Sequence, residues 1–120
     1  MKSVLVVDDA AFMRMAIKTA LKKDKFNVIA EAEDGSMAVE KYINLSPDIV
    51  TMDIVMPKMS GLEALRRIIQ YDPDARVVMV SAMGQEIMVR KAIMLGAKSF
   101  IVKPFQDDHV IKSLNHVLHL

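Results

Sequence analysis

Five side chains in this sequence could do chemistry together: Asp8, Asp9, Asp53, Ser81 and Lys103. Asp8 and Asp9 close the apolar run Val4 to Val7. Asp53 closes Ile49 to Met52, Ser81 closes Arg76 to Val80, and Lys103 closes Ser99 to Val102. Taken singly, each is an ordinary turn or cap residue. If the runs are neighbouring strands, all five reach one rim. Three carboxylates there repel, each pair costing about 3 kcal/mol at ~5 Å and an effective dielectric of about 20. Lys103 balances only one of them, so either a carboxyl is protonated or a cation sits among them. An oxygen cluster without His or Cys favours a hard cation. Mg²⁺ suits it best, since it takes a carboxylate or two, several waters and a phosphate; Mn²⁺ is a substitute. A divalent cation, an ammonium and a hydroxyl around a central carboxylate make a phosphoryl-transfer site with Asp53 as nucleophile. The chain carries neither a Gly-rich phosphate loop nor a Walker lysine. The phosphoryl group is therefore expected from another protein or a small phospho-donor rather than a bound nucleotide.

The elements that would hold these groups alternate. Strands are expected at Val4–Val7, Phe26–Ala32, Ile49 to Met52, Arg76–Val80 and Ser99–Val102. The second is more polar at its ends, which suits a sheet edge. Helices are expected from Ala10 to about Lys23, after Asp34-Gly35-Ser36, after Ser60, from Gly84 to Leu95 and from Gln106 to about Leu118. In the first helix Met13, Ala16, Ile17, Ala20 and Leu21 recur at helical spacing, leaving Arg14, Lys18, Lys22 and Lys23 to water. Ala38, Val39, Tyr42 and Ile43 make the second helix's buried stripe; Met88, Val89, Ala92 and Ile93 make the fourth's. Ser60 with Glu63 reads as a capping box, and Gly96 as a C-terminal stop. Five strand–helix units imply one α/β domain with a parallel sheet, helices on both faces and right-handed crossovers.

The 120 residues suit a single domain, residues 1–120, and 52% are hydrophobic, enough for a core. A net charge of +1 gives no electrostatic case for nucleic acid as direct partner. There is no cysteine, which removes disulfides and thiol catalysis and fits a reducing, cytoplasmic setting. No leader or membrane span is expected, because no apolar run approaches ~20 residues. His116 and His119 are three apart, but no third ligand is evident, so they read as a solvated face, as do Arg66 and Arg67.

Val7-Asp8-Asp9, Met52 to Pro57 (Met-Asp-Ile-Val-Met-Pro), Ser81-Ala82 and Lys103-Pro104-Phe105 together resemble a response-regulator receiver domain, in order and along the whole chain. The likeness is greatest to its single-domain chemotaxis members. It implies a three-layer, flavodoxin-like (βα)5 fold with strand order 2-1-3-4-5. Carried over by position, it implies that Asp53 is the phospho-acceptor. Asp9, Asp8, Asp53 and the backbone carbonyl of Val55 would be the metal ligands, and Lys103 the phosphate's partner. Ser81 would be the hydroxyl that moves to the phosphate and Phe100 the switching aromatic. The Lys103–Pro104 bond is expected cis. Phe100 lacks the phenol that Tyr would bring. Val55 and Met83, both apolar, flank the place of the attacking water, so slow self-dephosphorylation and use of a separate phosphatase are expected.

The implied role is a switch rather than an enzyme. A histidine kinase would supply phosphate, and the face of the fourth helix, last strand and last helix would bind a protein such as the flagellar motor switch. Ile87 and Met94, with Arg90 and Lys91 between them and Phe100 beside them, could receive a partner helix; a stray exposed apolar residue explains the first two equally well. The protein is expected to be a monomer. The alternatives are a receiver domain cut from a longer DNA-binding or enzymatic regulator, an Asp-nucleophile phosphatase, whose Asp-x-Asp is broken here by Ala10, and a flavin protein, whose phosphate loop is replaced by Asp8-Asp9.

Overall fold

In the computed structural model, which describes residues 1–119, ten elements alternate as expected. They are β1 (Lys2–Val7), α1 (Ala11–Leu21), β2 (Phe26–Ala32), α2 (Gly35–Leu45), β3 (Ile49–Met52), α3 (Gly61–Tyr71), β4 (Val77–Ser81), α4 (Glu86–Met94), β5 (Ser99–Val102) and α5 (Asp107–Leu118). The strands form one parallel sheet in the order β2-β1-β3-β4-β5, with β2 at an edge. No helix among the described residues is long and apolar enough to cross a membrane.

Alternation along the strands divides the core into two layers. Leu5, Val7, Val50, Met52, Val77 and Met79 face α2, α3 and α4, where Ala38, Tyr42, Leu65, Ile68 and Ala92 meet them. Val4, Val6, Ile49, Val78, Val80 and Ile101 face α1 and α5, against Ile17, Leu21, Val110, Leu114 and Val117. Strands buried on both faces need such near-continuous apolar runs.

Thr51 is the exception in the centre of the sheet. It is fully buried, aligned with Val6 and Val78, and its hydroxyl has no hydrogen-bond partner among the described residues. A buried hydroxyl without a partner costs stability. Thr51→Val is therefore expected to stabilise the fold by about 1 kcal/mol, read by urea unfolding. A net destabilisation would show that the hydroxyl is satisfied.

Three local expectations need correction. Ile43 (41% exposed) and Ile93 (47%) leave the buried stripes assigned to them, because the sheet covers only a narrow face of α2 and α4. The capping box forms by half. Ser60 Oγ accepts from Glu63 N–H at 3.2 Å, but the Glu63 carboxylate turns outward to Arg66 and Arg67. A doubly engaged, solvent-facing ion pair competes well with a bond back to the cap. Lastly, Arg14 is not on the wet face; its side chain is 12% exposed.

Candidate functional site

The carboxyl ends of β1, β3, β4 and β5 bring the five chemical side chains to one rim. One carboxylate oxygen each from Asp8, Asp9 and Asp53 lies within 4.8 Å of the others. Asp8 and Asp53 are buried, while Asp9 is exposed. Lys103 Nζ stands between the buried pair, 2.7 Å from Asp8 Oδ2 and 3.3 Å from Asp53 Oδ2. The second oxygen of each acid is held by backbone: Ala10 N–H donates to Asp8 Oδ1 at 2.9 Å, and Ile54 N–H to Asp53 Oδ1 at 2.8 Å. The Lys103–Pro104 bond is cis, as expected.

The supporting loops are tied to the sheet and to each other. Asp53 N–H donates to the Val7 carbonyl at 3.0 Å, continuing the β1–β3 ladder past its last paired residues. Gly61 N–H, at the start of α3, donates to the Ile54 carbonyl at 2.7 Å. Gly35 N–H donates to the Met59 carbonyl at 3.0 Å, which joins the β3–α3 loop to α2. Buried Asp34 caps α2 through Met37 N–H (2.8 Å) and lies 3.9 Å from Lys58 Nζ. Glycine 61 and Asp34 carry no chemical signal in the sequence beyond turn and cap chemistry, and their part in holding the site emerges only from the packing.

Ser81 and Phe100 make no hydrogen bond to the acids among the described residues. The Ser81 hydroxyl is buried and accepts from Met83 N–H at 3.1 Å, within its own loop. Half-buried Phe100 aligns with Met79 and packs against the α2–α4 layer. Val55 lies exposed in the β3–α3 loop, and Met83 is half-buried in the β4–α4 loop. On α4, Ile87 (77% exposed) and Met94 (83%) project into solvent with Arg90 and Lys91. Arg90 is paired with Glu86 at 2.6 Å.

The electrostatics make Asp53 the strained member. Burial pushes its carboxyl above the ordinary carboxylate range; Lys103 opposes that shift and the Asp8 charge adds to it. A raised acid pKa means that the folded state holds this proton more tightly than the unfolded chain does. The ionised form then costs stability above the folded pKa, and the cost vanishes below the unfolded one. Asp53→Asn is accordingly expected to raise the melting temperature by about 4 °C (about 1 kcal/mol) at neutral pH without divalent metal. The gain should shrink as pH falls through the raised pKa of Asp53. A lower melting temperature at neutral pH would show that the Lys103 pair outweighs the burial cost.

The donor set fits a hard divalent cation. It is all oxygen, carries three acidic groups against one amine, and keeps an exposed side at Asp9. Asp8, Asp9 and Asp53 are the residues that would hold it.

Comparison with known proteins agrees with this geometry. Residues 4–115 match the family described as the response regulator receiver domain. The chain is 60% identical over 116 residues to the chemotaxis protein CheY of Bacillus subtilis, covering 97% of both chains. It is 55% identical over 116 residues to CheY of Thermotoga maritima, again covering 97% of each. Among solved structures it superposes with TM-score 0.94 and 42% identity on a chain of the CheX-CheY-BeF3-Mg+2 complex from Borrelia burgdorferi. That match covers 97% of this chain and 88% of the other.

Proposed function

This chain belongs to the response regulator receiver domain family, and from that premise we propose that it is a switch in chemotaxis signalling, operated by a phosphoryl group on Asp53. The observation that carries the proposal is the acid cluster with Lys103 wedged between its two buried members. A histidine kinase is the donor. An oxygen of Asp53 forms a new bond to phosphorus, the bond to the donor breaks, and its electron pair leaves with the donor. Mg²⁺, held by Asp8, Asp9 and Asp53 with the Val55 carbonyl, or Mn²⁺ in its place, would offset the charge developing on the transferred group.

The protein's own groups do the rest. Ile54 N–H and Lys103 orient the Asp53 carboxylate. After transfer, Lys103 pairs with a phosphate oxygen. The new group brings roughly −1.5 to −2 charge and three acceptors. Ser81 already accepts from Met83 N–H, which leaves its own O–H free to donate to the phosphate. Movement of Ser81 opens space into which Phe100 turns. The face of α4, β5 and α5, with Ile87, Arg90, Lys91 and Met94, then changes shape for a protein target such as the flagellar motor switch. Val55 and Met83 cannot orient a water, so hydrolysis is slow and a separate phosphatase is used. The protein acts as a cytoplasmic monomer, its only chemistry being on itself.

The experiment is incubation with acetyl phosphate and MgCl₂ followed by mass spectrometry. One added phosphoryl group is expected, absent without the metal and absent in Asp53→Ala, and it should persist for well over seconds once the donor is removed. Phosphorylation of the Ala variant to the wild-type level would overturn the assignment.

A further inference from the structure

Arg14 is a half-buried cation that the chemistry above leaves unused. Its guanidinium bridges two places. Nε donates to Glu31 Oε1 at 2.9 Å, on β2, and Nη1 donates to the main-chain carbonyl of Asp8 at 2.8 Å. Nη2 lies 3.8 Å from Glu33 Oε1. Glu31 is braced in turn by Lys18 Nζ at 2.8 Å, and its own carbonyl accepts from Lys41. The fork is therefore aimed by a network on the edge of the sheet, not by solvent.

The carbonyl it holds is one half of the Asp8–Asp9 peptide. That unit is planar, so fixing the carbonyl direction fixes the plane from which Asp9 departs. Asp8 is pinned independently, through its N–H to Ala32 (3.1 Å) and through both carboxylate oxygens. Asp9 is the exposed member of the cluster and hangs from that peptide.

We infer that Arg14 is a positioning residue for the acid cluster: by holding the Asp8 carbonyl it sets the direction in which Asp9 presents its carboxylate to a divalent cation. This rests on the proposal that the cluster holds Mg²⁺. Charge and position make opposite forecasts. Removing a guanidinium beside three acids should, by Coulomb attraction alone, tighten cation binding. Loss of positioning should weaken it, and partners of this kind are worth about tenfold in metal affinity.

The test is titration of the intact protein with MgCl₂, followed by ¹⁵N–¹H NMR. Arg14→Met is expected to raise the Mg²⁺ Kd about tenfold. Arg14→Lys keeps the charge but loses the fork that spans carboxylate and carbonyl, so it should also bind more weakly and remain folded. Lys18→Met breaks the other ion pair to Glu31 but leaves both Arg14 hydrogen bonds in place, so it should raise the Kd far less than Arg14→Met does. In the metal-free protein the Asp9 amide should shift and exchange faster in both Arg14 variants, and not in Lys18→Met. Binding as tight as or tighter than wild type in the Arg14 variants would overturn the inference. A Kd weakened equally by Lys18→Met would overturn it too, by reducing Arg14 to general stability. If Asp9→Asn leaves the wild-type titration unaltered, the metal reading itself is what fails.

Discussion

Gly61→Ala is expected to cost about 4 kcal/mol or more in thermal unfolding and to slow phosphorylation of Asp53 by about 100-fold. A methyl group at Gly61 would sit 1.7 Å from the Asp53 carbonyl oxygen, 2.7 Å from its carbonyl carbon and 3.0 Å from the Ile54 Cα. All three are backbone atoms, so no side chain can swing aside. They belong to Asp53, the proposed phospho-acceptor, and to its neighbour. The Gly61 N–H also donates to the Ile54 carbonyl at 2.7 Å, so α3 cannot retreat without breaking that bond. Either α3 lifts from the loop or the Asp53 backbone moves, and a shift of ~1 Å in a reacting group is enough for a loss on the order of 100-fold. A variant that melts and phosphorylates like wild type would show that the loop relaxes without moving Asp53.

The second large effect is at Lys103. Its Nζ is the cation shared by Asp8 and Asp53, with side-chain exposures of 15%, 1% and 11% for the three groups. Lys103→Ala leaves two buried carboxylates without their partner. Breaking a buried pair from one side costs about 3 kcal/mol, because the remaining charge is stranded. The loss should be largest at neutral pH without divalent metal. It should shrink when MgCl₂ is added, since a divalent cation replaces the missing charge. It should shrink also as pH falls through the raised pKa of Asp53. These three signs together are specific to stranded acids, and melting curves with and without MgCl₂ across a pH series read them directly. Phosphorylation by acetyl phosphate should persist at a reduced rate, because Asp53 keeps its Ile54 N–H and the acids proposed to hold the metal, but the target should no longer respond. Normal target binding by phosphorylated Lys103→Ala would defeat the role given to this amine. A melting curve unchanged by the mutation would defeat the stranded-charge account.

Much of the site is legible in the sequence itself. Asp8, Asp9, Asp53 and Lys103 each end an apolar run, and the ends of neighbouring parallel strands share a rim. The structure brings one oxygen of each acid within 4.8 Å of the others and sets Lys103 beside Asp8 and Asp53, as that reasoning requires. Ser81 reached the same rim but turned its oxygen to Met83 N–H, a detail that depends on the local turn. Helix faces are less legible. Charge and spacing assign Arg14 to water, whereas the structure leaves Phe12 (73% exposed) and Met15 (54%) in solvent and folds Arg14 inward. Ile43 and Ile93 erred in the opposite sense.

The division has a physical cause. A strand's period of two and a helix's of 3.6 are local, so the order of elements, their parallel pairing and the polar residues at the strand ends are determined by the chain itself. Which degree of a helix's circumference meets the sheet depends on its neighbours. So do the partner found by a half-buried guanidinium and the glycine against which the Asp53 carbonyl comes to rest. Those depend on how the layers close upon one another, and only the tertiary structure decided that Arg14 grips the Asp8 carbonyl and that Gly61 lies against Asp53.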